Sequence, residues 1–227
     1  MSKYASQVII SFLSGKGDTT IIGGTNSIIS KGTSSGLPSH AFIANTTSPQ
    51  TIAQTISATM APWRLYLRGH GSHSKQLLGP FTVDQIAHYL SQCGLSANLP
   101  DVVSVTACKL GLGAHQSTTV TNYQSSYDSF VGKLHKLLGN TYGVYTTLHG
   151  RTMNNAVIRV AGASQGRKTT RQPMGNHIHQ QSFAKVTYYW DDNNNQQVTF
   201  AYGEMDIDVD DGDAMDIEWS LDMMDIG

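Results

Sequence analysis

The sequence predicts an α/β fold, a three-layer α/β/α sandwich around a mostly parallel sheet of about six strands. Three observations carry this. Apolar runs of strand length at 7–13, 63–70, 101–108 and 142–148 alternate with segments of helical period. The unit between 63 and 111 reads strand, helix, strand, which is a right-handed crossover joining parallel strands. The 227-residue chain, 39% of it hydrophobic, has enough apolar side chains to bury one core.

The first strand is Q-V-I-I-S-F-L at 7–13. Residues 15–36 are rich in Gly, Ser and Thr, with apolar pairs at Ile21-Ile22 and Ile28-Ile29, and read as a second strand or hairpin. Its G-K-G-D opening meets neither phosphate-loop spacing. A helix is expected over 45–60, capped by Ser48, with Pro49 in its first turn and Ile52, Ile56 and Met60 on one face. Pro62 ends it. W-R-L-Y-L-R-G-H-G follows as the second buried strand. Over 81–94, Thr82 and Gln85 form a capping box, Val83, Ile86, Leu90 and Cys93 share a face, and Gly94 marks the stop. D-V-V-S-V-T-A-C then brings a strand up to Cys108.

After a polar stretch at 111–126 placed to cover a cleft, a helix is expected over 127–138, stopping at Gly139. A strand over 142–148 ends at His149-Gly150, a shorter one spans 156–161, and 164–181 reads as a polar, basic loop. Residues 183–202 form a hairpin turning at 191–195. The domain reading is 1–203 as one α/β domain and 204–227 as an acidic C-terminal segment, an edge strand or a tail suited to binding a partner. Within it, Asp206, Asp208 and Asp210 mimic a calcium loop, but Gly212 falls one place late and no Glu follows at the twelfth position.

Composition excludes several classes. A net charge of −1 supplies no pull toward nucleic acid or acidic lipid. No apolar run reaches the roughly 18 residues of a membrane span, and no cleavage site follows 8–13, so neither an anchor nor a signal peptide is expected. Two cysteines are no disulfide framework and point to a reducing, cytoplasmic compartment, with delivery into another cell left open.

The parallel strands at 63–70 and 101–108 bring His70 and Cys108 out at one carboxyl edge, where open α/β sheets place their sites. An imidazole beside a thiol is an activated sulfur nucleophile. Glycine on both sides of His70 lets a substrate carbonyl approach the backbone. Cys93, on the helix stripe, reads as a small core residue. His73, His149, His177 and His179 lack any regular ligand spacing, so no metal is expected.

An apolar strand ending in His-Gly, a helix, and an apolar strand ending in Ala-Cys resemble the caspase-like cysteine peptidases. The matching residues are L-Y-L-R-G-H-G-S at 65–72 and V-S-V-T-A-C-K-L-G at 103–111. They resemble the clostripain and toxin self-processing members more than the caspases. The caspase Q-A-C-R-G pattern is absent, and His70 precedes Cys108 by 38 residues against roughly 50 in caspases.

The resemblance implies a caspase-like fold and a thiol endopeptidase acting on protein or peptide, self-processing or not. Cys108 is then the nucleophile, His70 the general acid and base, and the N–H groups of Gly71 and Cys108 the oxyanion hole. Thr106, Thr147 and His149 are expected to line the substrate crevice. Thr106 replaces the acidic residue of Arg- and Lys-cleaving relatives, so an uncharged residue is expected before the scissile bond. Arg151 is the nearest basic residue for an acidic one, and Asp128 or Asp191 are loop acids within sequence reach. Arg167, Lys168 and Arg171 are a solvated loop or, by the toxin precedent, a site for an anionic activator. The rival readings are a catalytically inactive binding or scaffold module, and another thiol enzyme such as an acyltransferase or deamidase.

Overall fold

The computed structural model describes residues 3–113, 126–151, 154–158, 167–171, 178–180 and 185–200. The chain runs β1 (Ser6–Phe12), α1 (Thr19–Ser34), β2 (Ser39–Ile43), α2 (Pro49–Ala58), β3 (Trp63–Gly69), β4 (Gly71–Ser72), β5 (Leu77–Leu78), α3 (Val83–Gln92) and β6 (Val102–Thr106). It continues through α4 (Phe130–Tyr142), β7 (Thr147–Arg151), β8 (Asn154–Ile158), β9 (Arg167–Arg171), β10 (Ile178–Gln180), β11 (Lys185–Trp190) and β12 (Gln196–Phe200).

Seven strands form the main sheet in the order β12-β11-β7-β6-β3-β1-β2. The five from β7 to β2 are parallel, and β11 joins β7 antiparallel. The protein is therefore α/β with a mostly parallel sheet. One face of it, carrying Val8, Ile10, Leu65, Leu67, Val103, Val105, Leu148 and Val186, packs under α2, α3 and α4. On the other, α1 covers Ile9 and Tyr66 through Ile28. β8, β9 and β10 make a separate antiparallel sheet, and β4 pairs with β5 as a small hairpin. No helix among the described residues is long and apolar enough to cross a membrane.

Where local chemistry is strong, elements fall where the sequence puts them. Ser48 accepts from Thr51 N–H and starts α2. Both bonds of the Thr82–Gln85 capping box are made. Asp191 accepts from the N–H groups of Asn193 and Asn195 and closes the β11–β12 turn.

Six expectations are corrected. Residues 19–34 are a helix, not a strand or hairpin: Asp18 caps it, and Ile21, Gly24, Thr25, Ile28 and Gly32 form its buried face. The low helix propensity of Gly and Thr yields there to packing on the sheet. The half-polar β2 adds an edge strand beside β1 that was not foreseen, which makes seven strands rather than about six. Met60 lies beyond the end of α2 and is exposed.

The last helix runs through Gly139 and stops at Gly143, whose φ of 68° suits a C-terminal glycine. At Gly139 the missing Cβ makes room for the Trp190 ring. β7 starts at Thr147 instead of 142, so His149 lies inside the strand and Arg151 ends it. Within 164–181 the polar segments β9 and β10 are strands, held by backbone pairing that hydropathy does not record. The acidic segment 204–227 and most of the polar stretch 111–126 lie outside the described residues.

Candidate active site

β3 and β6 are adjacent and parallel, with Arg68 opposite Thr106. His70 and Cys108 each follow two residues later, so both leave the sheet at the same rung. Gly71 brings the two turns into contact. A Cβ there would collide with the Cys108 carbonyl and lie 2.9 Å from its nitrogen. Only glycine permits this close approach of the two turns.

The turn after Cys108 is pinned from both sides. From the β4–β5 hairpin, His73 Nε2 donates to Gly113 O at 2.6 Å and Gln76 Nε2 to Leu112 O at 3.1 Å. From the other side, Gly111 N–H donates to Arg151 O at 2.7 Å. Lys109, directly after the cysteine, has a φ of 54°. A non-glycine residue in that region costs on the order of 1 kcal/mol and persists only where its surroundings over-determine it.

The sequence reading missed Asp18. Its Oδ1 lies 3.1 Å from His70 Nε2, and its side chain is almost wholly buried while that of His70 is 41% exposed. The same carboxylate caps α1 by accepting from Ile21 N–H. An ionised carboxylate only accepts, so the shared hydrogen is on Nε2, and in the neutral ring the lone pair is on Nδ1. The signal was present as an N-cap Asp before T-T-I-I, but taking 15–36 as strand hid it.

The other candidates separate clearly. Cys93 is fully buried on the core side of α3, where burial pushes its thiol up to about 12. Cys108 is half-buried at the sheet edge, and neither cysteine is in a disulfide. Thr106 is buried beside Arg68. Thr147 and His149 sit opposite Val102 and Ser104, well below the carboxyl edge where they were expected. Asp191 is tied into its own turn at the opposite edge of the sheet. The backbone of Arg167, Lys168 and Arg171 lies on β9, so they are not in a loop.

Among the described residues no group of three or more His, Cys, Asp or Glu is placed to hold a metal. No protein-family model matches the chain, and no curated protein matches it in sequence.

The arrangement supplies a thiol at a constrained turn, an imidazole in contact with a carboxylate, and a close backbone approach between the turns that carry them. These are the parts of nucleophilic acyl transfer.

Proposed function

We propose that the chain is a caspase-like cysteine endopeptidase, with Cys108 as nucleophile and His70 as general acid and base. The observation that carries this reading is the packing of Gly71 on the Cys108 backbone, next to a histidine oriented by Asp18. In the proposed cycle His70 Nδ1 takes the thiol proton and Cys108 Sγ attacks the scissile carbonyl. The N–H groups of Gly71 and Cys108 stabilise the oxyanion. His70 then protonates the leaving amine, and water, deprotonated by His70, releases the acyl group. Asp18 holds the ring and favours the imidazolium that forms during the reaction.

The test is incubation of the pure protein with an unbiased peptide mixture, with mass spectrometry of the products. New carboxyl ends that vanish in Cys108→Ala are expected. Transfer of the acyl group to an amine, or side-chain deamidation, would point to another thiol enzyme. No turnover of any kind would leave a binding module.

A further inference from the structure

The overall charge of −1 conceals a sharp division along the chain. Ten of its 16 Asp and Glu residues lie in 204–227, and none of its 15 Lys and Arg residues do. Residues 1–203 therefore carry 15 cationic side chains against six carboxylates, a net charge of +9 with His neutral. The acidic segment interleaves its carboxylates with apolar side chains, as in I-E-W-S-L-D at 217–222. A segment of that composition gains most from a surface that is both cationic and aromatic.

A surface of that kind lies between α4 and the turn joining β11 to β12. It is a groove of about 570 Å³, with Tyr127 and Trp190 in its lining. Lys133, Lys136 and Asn140 line it from α4, at steps of three and four residues that put them on one face. Both lysines are exposed, and neither has an ion-pair partner among the described residues. No other helix among the described residues carries two exposed lysines. Asp128 is the one carboxylate in the lining. The carboxylate of Asp191, in the adjoining turn, is taken up by Asn193, Asn195 and Gln197. The far wall is fixed, because Gln196 Nε2 donates to Gly132 O at 2.7 Å and to His135 Nδ1 at 2.9 Å.

We infer that segment 204–227 docks in this groove of its own chain, with carboxylates on Lys133 and Lys136 and apolar side chains from 217–221 against Tyr127 and Trp190. The segment is within reach. It begins four residues after Phe200, which ends β12, and Gln196 at the start of β12 lines the groove. Extended chain covers roughly 3.3 Å per residue, so the segment can span several times the ~20 Å length of α4. A tether this short gives an effective concentration on the order of millimolar. Exposed ion pairs that are weak singly are then enough to fill the site. The inference stands apart from the peptidase reading of Cys108.

The experiment uses the full chain, half of it labelled with heavy nitrogen, and a carbodiimide. This reagent joins a lysine amine to a touching carboxylate as an amide, with loss of water, and mass spectrometry of the digest reads the pairs. Cross-links from 204–227 to Lys133 and Lys136 should exceed those to the exposed Lys16 and Lys75 by about tenfold. They should join peptides of the same label and fall by about tenfold between about 0.05 M and about 0.5 M salt. Hydrogen exchange is the second measurement. Amides of 204–227 should exchange about tenfold faster in the double variant Lys133→Glu/Lys136→Glu, whose exposed positions leave the fold in place. Pairs of mixed label would put the segment on a second copy and overturn docking in cis. Cross-links spread evenly over the exposed lysines, or absent from Lys133 and Lys136, would overturn the site, as would unchanged exchange in the variant.

Discussion

The two faces of the central sheet are built from the same strands and differ in almost everything else. Under α2, α3 and α4 the rungs are Val, Ile, Leu and Phe, with residues such as Val8, Leu65, Val103 and Leu148 wholly buried. On the α1 side the same strands present Gln7, Ser11, Arg64, Arg68, Ser104 and Thr106, also buried. There Arg64 donates to Gln7 Oε1, and Arg68 Nε donates to Thr25 Oγ1. Burying polar side chains that Leu or Val would replace at no cost in hydrogen bonds is not a route to stability. The apolar face holds the fold, and the polar face leads to the rim carrying His70, Cys108 and Asp18. The two cysteines repeat the contrast: Cys93 belongs to the first face, Cys108 to the rim of the second.

The sharpest way to break that contrast is to swap the cysteines' fates. Cys108→Ala and His70→Ala are each expected to lower peptide turnover by at least about 10⁴-fold with little change in melting temperature. Cys93→Ala should cost about 1 kcal/mol of stability through a small cavity and leave turnover near normal. Turnover lost with Cys93 and kept without Cys108 would reverse the assignment.

Gly71→Ala comes next. Its methyl group would strike the Cys108 backbone, so activity should fall by about 10²- to 10³-fold, as when an oxyanion donor is misplaced. Circular dichroism would show the sheet intact. Gly139→Ala, which drives a methyl group into the Trp190 ring, should instead lower the melting temperature and spare turnover per folded molecule.

A milder probe is Asp18→Asn. Asparagine still caps a helix, so α1 should survive, while the carboxylate that orients His70 is gone. A fall in kcat on the order of 10²-fold is expected, with an altered pH–rate profile. An unchanged profile would reduce Asp18 to a cap.

The smallest effect tests the apolar face. His135 is buried against Trp190 at 4.5 Å, donates to Thr146 O and accepts from Gln196 Nε2. Burial lowers its pKa to about 4. Because the folded value is depressed, protons favour the unfolded chain below about pH 6.5. The stabilisation is fully present above that pH and is lost progressively as pH falls toward 4. Between pH 6.5 and 5 the loss should be about 1.5 kcal/mol, read as a lower melting temperature. His135→Gln should flatten this part of the curve, and an equal slope in that variant would assign it elsewhere.

Much of the fold was legible in the chain. The capping box at Thr82 and Gln85, the N-cap at Ser48, and the apolar runs ending at His70 and Cys108 act within a few residues, so sequence alone determined them. The same holds for the parallel order of β3 and β6, since a short helical crossover leaves little choice. Only the tertiary structure decided that 19–34 is a helix, because its Gly and Thr residues gain helical order from the sheet they cover. It alone set Asp18 against His70, 52 residues apart in sequence. The register that sets Arg68 opposite Thr106 also came from there. Strand register is fixed by burial and backbone pairing between distant segments, and a one-dimensional pattern carries the face of each residue but not its level in the sheet.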